Sequence, residues 1–195
     1  MRAKEMAGRL TPVQRYALLL ARANDSETIR GKIWFQKEMF LLSKTIPELA
    51  SELGFEPSLK GAMSDALDWD LTQLEALDLL DREGPGFGLT EAGKEISDAL
   101  EEEIGRPILE RVRDAKSLIN DLPKEEMLAL VYAIDPAMTT ESEERAGIEP
   151  KRKDLAVSLF RRGKVGLERG AEVAGLSVQG FAALLRRRGV PRFST

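Results

Sequence analysis

Any chemistry in this chain has to come from carboxylates, hydroxyls, lysines and arginines, because its 195 residues include no histidine and no cysteine. That excludes disulfides, zinc centres of the Cys/His kind, cysteine nucleophiles and every imidazole acid or base. Among the carboxylates, Asp68-Trp69-Asp70 is the tempting cluster for a metal or an acid/base site, and Glu101-Glu102-Glu103 is a second acidic run. Positions one and two apart on a helix point in different directions, so Asp68 and Asp70 do not easily converge on one ion. The glutamate run suits an exposed helix end. No glycine-rich phosphate loop and no nucleophile paired with a base stands at a recognisable spacing. The expectation is a protein without enzymatic activity, cofactor or metal.

The cations carry a stronger signal. A formal charge of -4 averages two unlike parts: residues 149–195 hold 11 Lys/Arg against 4 Asp/Glu, while the remainder holds 18 against 29. Such asymmetry points to a polyanion as partner of the basic end, or to docking of the two halves on each other. Within that end, Ala171, Gly175 and Phe181 fall where a helix-turn-helix needs a small residue at the crossing, a turn residue tolerant of positive φ, and an apolar anchor. Val173, Leu176, Leu184 and Leu185 add core contacts. Ser177, Val178 and Gln179 then open the recognition helix, where base edges are touched, and Arg186, Arg187 and Arg188 close it, where phosphates are met. With Lys164 and Arg169, the candidate DNA-binding set is Lys164, Arg169, Ser177, Gln179, Arg186, Arg187 and Arg188. Gln179 is its one strong base reader, so many phosphate contacts and few base contacts are expected. Two other readings stay open. The arginines could be a solvated helix end that compensates the macrodipole, and the smooth face of Val178, Gly180, Ala182 and Ala183 could receive a partner protein's helix.

The elements that position these residues follow from caps, breakers and apolar spacing. Thr11 caps a first helix with Pro12 at its first position, and Asn24-Asp25 stops it. Residues 31–44 are apolar on most sides, through Trp34, Phe35, Met39 and Phe40, and belong in a core or a dimer. Pro47 starts a short helix ended by Gly54. Leu67, Leu71, Leu74 and Leu77 repeat at helical spacing. A Gly84-Pro85 turn between two short flanks then leads to Thr90, which caps another helix, the order found in a winged helix. Pro107 and Pro123 open two further helices, Asp135-Pro136 breaks the pattern, and Thr140 with Glu143 fits a capping box for a short helix closed by Gly147. Residues 147–150 read as the domain boundary. Beyond it, three short helices span 154–162, 167–174 and 178–188.

Residues 151–192 resemble a family of small uncharacterised prokaryotic proteins regarded as antitoxin-like helix-turn-helix modules. The match is carried by Asp154-Leu155-Ala156-Val157-Ser158-Leu159-Phe160, Gly163-Lys164, Ala171-Glu172-Val173-Ala174-Gly175-Leu176-Ser177, Phe181 and Arg188-Gly189-Val190-Pro191, and departs at Val178-Gln179-Gly180. Residues 29–142 resemble prokaryotic winged-helix proteins related to the Panacea antitoxin domain. The residues that carry this second resemblance are Gly31-Lys32, Phe35-Gln36-Lys37, Phe40-Leu41-Leu42, Leu89-Thr90-Glu91-Ala92-Gly93-Lys94, Val131-Tyr132, Asp135-Pro136 and Thr139-Thr140-Glu141-Ser142; Trp34 and Glu38 depart from its pattern. The two resemblances imply two regulatory modules of the toxin-antitoxin or transcription-control sort.

The expected fold is mainly α: a winged-helix-like domain with a small β wing over residues 1–148, and a three-helix helix-turn-helix module over 149–195. Residues 61–81 hold Asp65, Asp68, Asp70, Glu75, Asp78 and Asp81 and no basic residue. Phosphates would repel them. The first domain is therefore expected to dimerise or bind a partner protein, toxin-like or other, and the second to contact DNA. A protein-interaction module that binds no DNA, an antitoxin or adaptor, is the alternative. Arg2, Lys4, Glu5 and Arg9 have no apolar run behind them, unlike a signal peptide, and no stretch reaches a membrane-spanning length. A cytoplasmic homodimer away from membranes is the expectation.

Overall fold

The computed structural model describes residues 2–190. They are mainly helical, with a single two-stranded antiparallel sheet among the described residues. The chain divides into two compact units, Met1–Glu56 with Ala62–Asp121, and Pro57–Gly61 with Leu122–Thr195.

In the first unit, α1 is Arg2–Ala7, α2 Pro12–Ser26, α3 Lys32–Ser43, α4 Pro47–Leu53, α5 Asp65–Ala76, β1 Leu80–Glu83, β2 Gly86–Leu89, α6 Glu91–Glu103 and α7 Arg106–Ile119. Thr11 caps α2 in a capping box with Gln14, each side chain meeting the other residue's backbone N–H. The helical path of α2 breaks near its end, where Asn24, Asp25 and Ser26 hold φ of 55, 57 and 59°. Left-handed backbone costs roughly 1–2 kcal/mol per non-glycine residue, and α7 holds it in place. Asn24 Nδ2 donates to Ser117 Oγ at 2.9 Å, and Lys116 Nζ to the carbonyls of Ala21 and Ala23 at 3.1 and 2.9 Å.

The wing pairs Leu80 with Leu89 through to Glu83 with Gly86. Ile29 forms an isolated antiparallel bridge beside β2, exchanging backbone N–H···O bonds with Phe87 at 3.0 and 2.9 Å. Phe87 also meets Phe35 of α3 edge-on, ring centroids 5.3 Å apart, so the sheet is pinned to the helical core. Leu18, Leu20, Met39, Leu67, Leu71, Leu74, Leu100 and Val112 fill that core. The order of helix, hairpin and following helix is the one expected, with Thr90 capping α6 through a bond from Gly93 N.

The second unit contains α8 Lys124–Ile134, a 3-10 turn Pro136–Thr139, α9 Arg145–Ile148, another 3-10 turn Glu149–Lys151, α10 Arg152–Arg161, α11 Leu167–Ala174 and α12 Val178–Arg187. The division therefore falls at Leu122, ahead of the 148/149 position read from the Gly/Pro pattern. The reason lies in α8, which packs on α10 and α11. Glu125 binds Lys151 Nζ at 2.5 Å, and Glu126 accepts from Ser158 Oγ at 2.7 Å and lies 3.8 Å from Arg162 Nε. The Thr140/Glu143 capping box does not form. Thr140 Oγ1 instead bonds back to Ala137 O, α9 begins after Glu144 with no side-chain cap, and Gly147 lies inside it. No helix among the described residues is long and apolar enough to cross a membrane.

Candidate nucleic-acid interface

The basic end is built around one close crossing. Gly170 of α11 lies directly under Phe181 of α12: a Cβ placed on Gly170 would stand 2.3 Å from a ring carbon. Phe181 is fully buried and meets Phe160 of α10 edge-on at 5.9 Å. The turn works as expected. Gly175 ends α11 at φ 66°, ψ 36°, which glycine adopts without steric cost, and Leu176 N bonds back to Ala171 O at 2.9 Å. The small residue needed at the crossing is Gly170, one place before the expected Ala171, which is itself buried. An interior glycine costs a helix about 1 kcal/mol relative to alanine, and this was the available signal.

A further organising residue is Arg152. Its Nε donates to Val173 O at 2.8 Å, Nη2 to Glu172 O at 2.9 Å and Nη1 to Glu149 at 2.8 Å. The fork thus ties off two carbonyls at the C-terminal end of α11, where intrahelical donors run out and a cation meets the negative end of the helix dipole. Nothing in the spacing of the tail singled out this arginine from its basic neighbours.

The candidate residues fall in three groups. Ser177 caps α12, its Oγ accepting from Gly180 N at 3.1 Å, so part of its hydrogen-bonding capacity serves the fold. Two cations are drawn into ion pairs inside the unit: Arg169 with Glu172 one turn on, and Arg188 with Asp154 at 2.6 Å. Both pairs are exposed and so are weak enough to exchange for phosphate. Gln179, Arg186 and Arg187 are exposed, and no carboxylate among the described residues pairs with Arg186 or Arg187. Lys164 is half-buried in the loop between α10 and α11. Helical spacing sets Gln179, Ala182, Ala183, Arg186 and Arg187 on the side of α12 away from the buried Phe181, Leu184 and Leu185.

The carboxylates of the first unit serve its fold. Asp68 accepts from Gln36 Nε2 at 2.8 Å and pairs with Lys32 at 2.6 Å, whereas Asp70 accepts from Gln14 Nε2 at 2.7 Å and Thr11 Oγ1 at 3.3 Å. The two acids are held by different partners. Burial raises the Asp70 pKa, with the Gln14 and Thr11 bonds opposing. Glu102 pairs with Lys4 at 2.8 Å. Among the described residues no group of carboxylates is disposed to hold a metal ion.

Sequence reasoning missed the buried charges of α3 and α7. Lys37 is fully buried, donates to Ala62 O at 2.5 Å, and burial lowers its pKa to about 7. Glu38, beside it and also fully buried, has neither carboxylate oxygen hydrogen-bonded. Burial raises its pKa well above the usual carboxylate value, with Lys116 opposing and Glu27 adding to the rise. Burial in turn lowers Lys116 to about 8.

Residues 140–195 match the model of an uncharacterised protein family, UPF0175. The tail's likeness to an uncharacterised family therefore stands. No curated protein and no solved structure shows a significant match to the chain.

Proposed function

We propose that this chain is a DNA-binding regulatory protein, of the transcriptional regulator or antitoxin type, that contacts DNA through α12 of its basic C-terminal unit. The observation that carries the reading is the helix-turn-helix itself: Phe181 locked over Gly170, a left-handed Gly175 in the turn, and Arg186 and Arg187 exposed on the face turned away from the core. Phosphate neutralisation by Lys164, Arg169, Arg186, Arg187 and Arg188 would supply most of the affinity, and Gln179 the main base contact. The first unit would serve self-association or the binding of a partner protein, in a cytoplasmic homodimer.

A second reading draws on Val178, 43% exposed at the start of α12 with Ala182 on the same side. A small apolar face of this kind also suits a partner protein's helix, which would make the chain an antitoxin or adaptor that binds no DNA.

Titrating the full chain into labelled duplex DNA at several salt concentrations separates the two. Five neutralised phosphates per copy give a log-log slope of about -4.5. Absence of binding at low salt favours the protein-interaction module.

A further inference from the structure

The helix that a winged helix would offer to DNA presents a different chemistry here. On α5, the positions turned away from the core are Asp65, Ala66, Trp69, Thr72, Gln73 and Ala76, opposite the buried Leu67, Asp70, Leu71 and Leu74. Trp69 is 67% exposed, and Leu77 just beyond the helix is 46% exposed. A large aromatic ring this open on a folded surface, flanked by small side chains, has the make-up of an interface anchor. Its acidic neighbours divide by role. Asp68 and Glu75 lie on one flank and are paired, with Lys32 at 2.6 Å and Arg82 at 2.9 Å. Asp65 at the start of the face and Asp78 past its end are exposed and have no side-chain partner among the described residues.

We propose that this face of α5 docks a cationic, partly apolar segment of another protein, with Trp69 as its anchor and Asp65 and Asp78 as its charge contacts. The partner's apolar side chains cover Trp69 and Leu77, and its Lys or Arg side chains meet the two carboxylates, one cation stacking on the indole face. Packing of α5 against its own counterpart in a second copy is disfavoured. An antiparallel pair would set Asp65 near Asp78 and a parallel pair would set Asp65 near Asp65, so like charges meet in both. The same charges turn away nucleic acid and anionic lipid. The proposal deepens the partner-binding half of the functional reading and is independent of the DNA half.

Trp69 is its own reporter once the other tryptophan is removed. In the full chain carrying Trp34→Phe, a helical peptide of leucine and lysine is expected to shift Trp69 emission to the blue and shield it from acrylamide. The effect should saturate, and the matching leucine/glutamate peptide should give none. Asp65→Asn with Asp78→Asn, the latter tolerated at the positive φ of that position, should weaken binding on the order of tenfold. Absence of a shift with the leucine/lysine peptide, or an equal shift with its glutamate counterpart, overturns the proposal. So does Trp69 emission that is already blue and shielded in the protein alone and moves with protein concentration, since a second copy then covers the face. Failure of the DNA titration leaves these outcomes unaffected.

Discussion

The ring of Phe181 occupies the space that a side chain on Gly170 would need, 2.3 Å from the ideal Cβ position. The two helices of the basic unit can approach this closely only because α11 carries no side chain at that point. Gly170→Ala gains up to about 1 kcal/mol of helix propensity but forces a methyl into a buried ring, and overpacking of this kind costs about 1–3 kcal/mol. The expected outcome is a net loss of stability in urea unfolding. Phe181→Ala, which empties the site, should cost about 3–5 kcal/mol. A Gly170→Ala chain more stable than wild type would contradict the crossing.

Arg152 gives a prediction of a different kind, because its role depends on the planar fork as well as the charge. Arg152→Lys keeps the cation but cannot reach Val173 O, Glu172 O and Glu149 together. It should recover only part of the roughly 1–3 kcal/mol lost in Arg152→Met, measured by urea unfolding. Amide exchange near residues 172–175 should quicken in both variants. Equal stability of Arg152→Lys and wild type would show that charge alone suffices.

The buried lysines set a pH dependence. Lys37, at about 7 when folded against 10.5 ordinarily, is more protonated in the unfolded chain between those values. Stability therefore rises with pH from about 7 to 10.5. Lys116, at about 8, adds a second rise over the upper part of that window. Lys37→Met should shrink the increase in urea midpoint between pH 7 and 10 and leave the portion due to Lys116. An unchanged increase would exclude Lys37 as its source.

Glu38 acts in the opposite sense. Its raised pKa means that the folded chain holds a proton the unfolded chain has released, so stability falls as pH climbs from the ordinary carboxylate range towards the elevated value. Glu38→Gln fixes the neutral form and should remove that fall. The check is the same series of urea midpoints, extended down to pH 4.5.

Much of the fold was legible because local rules and tertiary structure agree. Thr11-Pro12, Thr90, the Gly84-Pro85 turn, Gly175 and Phe181 each state a local feature that the packing then uses, whereas the crossing itself falls on Gly170 and not on Ala171. What was not legible depends on contacts far apart in sequence. The division at Leu122 follows from Glu125 and Glu126 reaching Lys151, Ser158 and Arg162, which apolar periodicity cannot reveal. Lys37 and Glu38 look like solvated charges inside an apolar run, and only the neighbours that enclose α3 make them buried ones. At the candidate interface the residue types were readable, but the pairing of Arg169 and Arg188 and the open state of Arg186 and Arg187 required three-dimensional placement.

The most direct test of the account compares the full chain with its Arg186→Ala/Arg187→Ala variant in duplex DNA titrations across a salt series. Loss of two phosphate contacts should weaken binding at every salt concentration and reduce the magnitude of the log-log slope by about 1.8. Identical affinity and slope for the two chains would contradict the claim that α12 carries the DNA contact.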